Sequence, residues 1–245
     1  RVVGLVATEH AVLLGVGLLV LAWGRGRLRA AIRESGARLG KPTTDRFGYT
    51  AHAVVLTLAA AAAWPLAMAV TGWQLMVSVE ETAFTGAMGA SLLAMSVHFF
   101  YLRAFSIACI PGGLAAAHFR WPDSSLRTLR ANLNRLTWIF IPSALLSMSA
   151  STLDPLDVTW ASGRLFFLVA VGSVAFAFYR LLHPGSGVLA GYLGRRQRTS
   201  FGQLYRLAYP LLVAYPLALG VLSLVGYRYS AGFLANLLLE TAWLA

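Results

Sequence analysis

Seven apolar stretches, each approaching the length of a bilayer-spanning helix and parted by gaps rich in arginine, leave this chain few folds to choose from. A bilayer's hydrocarbon core is about 30 Å thick and a helix rises about 1.5 Å per residue, so roughly 20 mainly apolar residues cross it. The stretches cover residues 2–23, 51–71, 82–102, 136–153, 161–182, 207–227 and 230–245. A lipid-exposed strand edge would leave backbone amides unpaired, and no alternating barrel pattern appears, so each stretch predicts an α-helix. The expected fold class is all-α, a polytopic transmembrane bundle of about seven helices arranged as hairpins. Composition agrees, with 58% hydrophobic and 12% charged residues, against about 25% charged in an ordinary soluble chain.

The connections alternate in charge. Residues 24–50 hold Arg25, Arg27, Arg29, Arg33, Arg38, Lys41 and Arg46, and residues 103–135 hold Arg103, Arg120, Arg127, Arg130 and Arg135. Arg180 closes the fifth stretch, and residues 183–206 add Arg195, Arg196, Arg198 and Arg206. The remaining connections hold Glu80, Glu81, Asp154 and Asp157, with Arg164 and Arg228 as their positive charges. Short loops rich in Lys and Arg stay in the cytoplasm, so the three basic loops face inward and helix one runs inward. Trp23, Trp73, Trp121, Trp138 and Trp160 fall near segment ends, where an interfacial belt belongs. The net charge of +11 does not imply nucleic acid, which needs basic groups on a folded polar face rather than in gaps between apolar runs.

Leu28, Ile32 and Leu39 recur at helical spacing among the arginines, which reads as a cytoplasmic helix lying on headgroups. Arg25, Arg27, Arg29, Arg33, Arg195, Arg196 and Arg198 are the candidate contacts to lipid headgroups, each worth about 1 kcal/mol near an anionic surface. Alternatively these side chains only set topology.

Catalysis has almost no foothold. One cysteine, Cys109, excludes an internal disulfide framework. No HExxH, Walker loop or Ser/His/Asp set occurs, and His118, His183 and Asp123 are scattered. No cofactor, metal or enzymatic activity is expected. Glu9 and His10 interrupt the first stretch; an ionisable group at mid-membrane points to function, whereas Thr8 as N-cap with Glu9 in the first turn makes them structural. The interruption also reads as two segments joined across a gap. His98 reads as interfacial, and Glu240 sits in the last stretch. Gly86, Ala90 and Ala94, four apart, form a small-residue stripe that lets another helix come close. Pro65, Pro210 and Pro216 are candidate kinks, each removing a backbone hydrogen bond, and serve as hinges or as static bends. Arg1 in place of methionine and an apolar run ending at Ala245 read as a piece of a longer protein, and no signal peptide is recognisable.

Several separated motifs carry more information than this. Thr43-Thr44-Asp45-Arg46-Phe47, Trp64-Pro65 and Gly72-Trp73 are followed by Pro111-Gly112-Gly113-Leu114 and His118-Phe119-Arg120-Trp121-Pro122. Leu204-Tyr205-Arg206-Leu207-Ala208-Tyr209-Pro210 and Leu224-Val225-Gly226-Tyr227 complete the set. In this order, across about residues 38–245, they resemble the inner-membrane domain of large MscK-type mechanosensitive channels of the MscS superfamily. The resemblance implies a bacterial inner-membrane, homo-heptameric channel opened by bilayer tension under hypoosmotic stress, with these helices as its peripheral paddle. It also implies membrane lipids as partners, and ions permeating a pore that lies outside these residues. A secondary transporter is the competing reading; it predicts inverted repeats and broken polar helices at mid-membrane, and neither is evident.

Overall fold

The computed structural model describes residues 15, 24, 26–28, 30–32, 34, 47–77, 82–117, 121–152, 158–188, 190 and 200–244. All regular structure among them is helical, as the hydropathy requires. The helices are α1 (Phe47–Val77), α2 (Ala83–Ala108), α3 (Leu114–Ala117), α4 (Asp123–Thr152), α5 (Val158–Leu182), α6 (Ser200–Val225) and α7 (Arg228–Leu244). They divide into two compact units, Arg1–Asp123 and Ser124–Ala245.

The first unit is built on the antiparallel hairpin of α1 and α2. Thr82 starts α2 with a reciprocal cap, its hydroxyl accepting from the Thr85 amide while the Thr85 hydroxyl accepts from the Thr82 amide. Close packing follows from two glycines. A Cβ at Gly89 would lie 2.6 Å from the carbonyl oxygen of Gly72, and one at Gly72 would lie 2.7 Å from that of Gly89. The expected stripe of Gly86, Ala90 and Ala94 lies on another side of α2: Ala90 is exposed and the other two are half-buried, whereas Ala87, Gly89, Ser91, Met95 and Ser96 are buried.

At the other end of this hairpin, Ile32 is only 1% exposed and joins Ala60, Ala61, Ile107 and Ile110 in a cluster that Leu28 and Phe100 flank. This corrects the reading of Leu28 and Ile32 as apolar groups laid on headgroups, because protein covers them. Arg27, on the helix's other side, is exposed. Leu28 and Ile32, four apart, share the packed side, and Leu39, the third residue of the expected pattern, lies outside the described residues.

In the second unit α6 packs on α5 and α7 on α6. The turn between α6 and α7 uses Gly226 at φ 111°, with the Tyr227 amide donating to the Leu222 carbonyl at 3.0 Å and the Gly226 amide to Ser223 at 3.3 Å. Only a residue without Cβ adopts that conformation cheaply.

Four described helices are long and apolar enough to cross a membrane, within 50–77, 83–108, 162–182 and 202–225. The stretch 136–153 forms the second half of α4, with Leu153 outside the described residues. The first half of α4 occupies much of the expected loop 103–135, because Leu126 and Leu133, seven apart, are both buried and hold a polar segment helical. Asp123 in its first turn complements the helix dipole. α7 has 17 residues.

Candidate functional site

The chain's most extensive candidate surface is the outside of its helices, and the burial pattern there is inverted relative to a water-soluble protein. Buried positions are filled largely by small residues, including Ala60, Ala61, Ala87, Ala170 and Ala175 and the serines at 91, 96, 106, 143, 147, 149 and 173. Large apolar side chains point outward: Trp138 is 81% exposed, and Leu207, Leu211, Val221 and Phe233 are all more than half exposed. Water would penalise such a surface by about 25 cal/mol per Å². Hydrocarbon does not, and small residues are what let helices approach one another in it. Most buried hydroxyls spend their hydrogen bond inside their own helix, as Thr57 does on Ala53 O (2.7 Å), Ser91 on Ala87 O (2.7 Å) and Ser143 on Ile139 O (2.7 Å). Trp73, Trp121 and Trp138 are exposed, and so is Trp64 midway along α1. Trp23 lies outside the described residues.

Polar ties hold the second unit at both ends. At one end the Ser147 hydroxyl donates to Gly163 O at 3.0 Å, joining α4 to α5. The Arg228 Nη2 donates to Ser147 O at 3.0 Å, bringing in the start of α7. The nitrogen end of its guanidinium faces Gly163, where an added Cβ would sit 2.8 Å from both terminal nitrogens. Burial lowers the Arg228 pKa from its ordinary value and the Arg164 charge adds to the effect, with Tyr229 opposing them. The Tyr215 hydroxyl donates to Leu234 O at 3.1 Å between α6 and α7.

At the other end, the Tyr205 hydroxyl donates to Leu182 O at 2.7 Å, fastening the start of α6 to the last turn of α5. His183 caps that turn, its Nδ1 accepting from the amides of Gly185 at 3.1 Å and Ser186 at 3.2 Å. Its ring lies edge-on between Tyr179 and Tyr209, with centroids 5.9 Å from each. The Ser125 hydroxyl donates to Val188 O at 3.1 Å and ties α4 to the same connection. Residue-by-residue reading missed this cluster. The available signal was Tyr205 and Tyr209, one helical turn apart inside a motif.

Of the candidate headgroup contacts, Arg27 is exposed, while Arg25, Arg29, Arg33, Arg195, Arg196 and Arg198 lie outside the described residues, as do Glu9, His10 and His118. Helix continues through Pro65, Pro210 and Pro216, and also through Pro142 in α4. Pro65 and Pro216 are buried and Pro210 is exposed. His98 is half-buried with its Nδ1 3.2 Å from Ala94 O in its own helix. Among the described residues no group of three His, Cys, Asp or Glu side chains is placed to hold a metal ion.

These features define a polytopic, lipid-facing helical membrane domain. Residues 10–245 match the family described as mechanosensitive ion channel inner membrane domain 1, and the chain belongs to that family, within the MscS superfamily and the inner membrane. It is 24% identical over 201 residues to the miniconductance mechanosensitive channel MscM of Escherichia coli (strain K12), an alignment covering 82% of this chain and 18% of that relative. The chain thus spans less than a fifth of the relative's length. No solved structure matches it.

Proposed function

We propose that this domain senses bilayer tension for a bacterial channel that opens when hypoosmotic stress stretches the membrane. The observation that carries this reading is the match of nearly the whole chain to a mechanosensitive channel's inner-membrane domain. The outward-turned Leu, Phe and Trp side chains supply the means by which lipid can pull on it. Tension favours whichever state occupies more membrane area, so the domain acts by making one of two pore states wider in the plane. Helix tilt and mismatch cost only fractions of a kcal/mol per Å, so the response sums over several helices and several subunits. By resemblance the assembly is a homo-heptamer of the MscK type, with these helices as its periphery and the basic connections inside the cell.

The test is single-channel recording of the full-length protein in excised patches under graded suction. Suction-dependent openings are expected, and replacing Pro210 and Pro216 with alanine is expected to shift the threshold. A full-length protein that inserts in the membrane yet conducts nothing at any suction short of rupture refutes the proposal.

A further inference from the structure

A groove of about 200 Å³ runs between α4 and α5 in the second unit. Its walls include Leu136, Ile139, Val169 and Phe176, all apolar, and Asn132 and Arg135 line it as well. The contact of Ser147 with Gly163 sets the antiparallel register of the two helices. Counting back from that pair puts Asn132 level with the last turns of α5, so Asn132 and Arg135 lie towards the groove's basic end, while Ser173 lines it midway and donates to Ala170 O of its own helix. Arg180 belongs to the same end, its guanidinium carbon 5.8 Å from the centre of the Phe176 ring. Both Arg135 and Arg180 are exposed. Asn132 is buried, and its amide already donates to Thr128 O at 2.8 Å.

An apolar slot with two guanidinium groups at one end matches an elongated apolar ligand with an anionic head. A free phosphate has nothing to place among Leu136, Ile139 and Val169, and a neutral hydrocarbon leaves the arginines unanswered. We propose that the groove between α4 and α5 holds an acyl chain of one cytoplasmic-leaflet phospholipid, with its anionic headgroup at Arg135 and Arg180. This rests on the reading of these helices as membrane-embedded with residues 183–206 inside the cell. That side puts the basic end at the depth of the inner headgroups. A guanidinium pairs with phosphate oxygens through two parallel hydrogen bonds, which lysine cannot reproduce.

The test is native mass spectrometry of the full-length protein, equilibrated in detergent with equal amounts of dioleoyl phosphatidylglycerol and dioleoyl phosphatidylcholine. Wild type is expected to retain phosphatidylglycerol in preference. Arg135→Gln should cut that preference about fivefold, the equivalent of the ~1 kcal/mol that one basic side chain contributes near a membrane surface. Val169→Trp, which fills the groove at a partly exposed position, should lose bound lipid of both kinds. Arg127→Gln, exposed on α4 but outside the groove lining, should leave the preference at the wild-type value. Wild-type lipid number in Val169→Trp overturns the proposal, because protein then covers the groove. An unchanged preference in Arg135→Gln, or an equal loss in Arg127→Gln, overturns it as well. If Val169→Trp fails to fold, the two arginine variants still decide. Lipid retention does not depend on conduction, so a protein that binds the lipid but ignores suction would sink the tension-sensor reading and leave this one standing.

Discussion

Replacing Gly89 with alanine is the sharpest test of how the first hairpin is held. The new Cβ would lie 2.6 Å from Gly72 O, 2.7 Å from the Met76 Cγ and 3.2 Å from the Leu75 Cβ. Met76 can rotate away, but the Gly72 carbonyl belongs to the backbone of α1 and cannot. An ordinary carbon-to-carbonyl contact between helices is about 3.3–3.6 Å, so α1 and α2 must separate by roughly 0.7–1 Å along that line. Overpacking of this kind typically costs about 1–3 kcal/mol. Alanine's better helix propensity returns at most about 1 kcal/mol. Gly172 in α5 is the matched control, because a Cβ there meets nothing within 4 Å. Thermal unfolding of the full-length protein in detergent should therefore lower the midpoint for Gly89→Ala and leave Gly172→Ala level or higher. Gly72→Ala should resemble Gly89→Ala. The double variant should cost less than the sum, since one displacement relieves both clashes. Equal midpoints for Gly89→Ala and Gly172→Ala would refute the close approach as the hairpin's anchor.

Three further outcomes follow from the polar ties and the buried cluster. Gly163→Ala should expel the Arg228 guanidinium and lose its bond to Ser147 O, costing about 1.5–3 kcal/mol for a charged hydrogen bond; that part of the cost should vanish in an Arg228→Ala background, where only the 3.0 Å approach of the new Cβ to the Ala150 Cβ remains, and additive costs in that double variant would disprove the coupling. His183→Phe preserves the ring stack with Tyr179 and Tyr209 but removes the acceptor for two amides, so hydrogen exchange at Gly185 and Ser186 should accelerate relative to wild type; unchanged exchange would show that Nδ1 does not hold the turn. Ile32→Ala should cost about 2–5 kcal/mol as a core truncation and speed proteolysis within residues 26–34, whereas a variant as resistant as wild type would place Ile32 outside the core.

Hydropathy made the helices legible because lipid imposes the strictest demand on this chain, that backbone groups pair within one segment. It underestimated their lengths, since apolarity stops where the helix enters polar surroundings and the helix need not. α1 begins four residues before the expected residue 51 and ends six after residue 71. The polar beginning of α4 is helical for the sake of Leu126 and Leu133. Packing was harder to read, because a helix rich in Gly, Ala and Ser carries several small-residue stripes at once. Gly86, Ala90 and Ala94 had the right chemistry and spacing, and Gly72 opposite decided for Gly89 instead. The bond from Arg228 to Ser147 spans 81 positions, and no local pattern announces it.

The division between small residues inside and large ones outside bears on how tension would act through such a domain. In lipid no hydrophobic force drives helices together, so the hairpins depend on close van der Waals contact and on hydrogen bonds to backbone carbonyls. Both kinds are short-ranged and fail within about an ångström of separation. Tilting a helix pair as one body leaves those contacts intact and costs only the mismatch energy with the bilayer. Pulling the pair apart breaks the Gly72–Gly89 seam, or the ties of Ser147, Tyr205 and Arg228, all at once. On the proposed reading, a stretched bilayer grips the exposed Leu, Phe and Trp side chains and the helices follow in tied groups. The area gained then comes from inclination of intact hairpins rather than from gaps opened inside them.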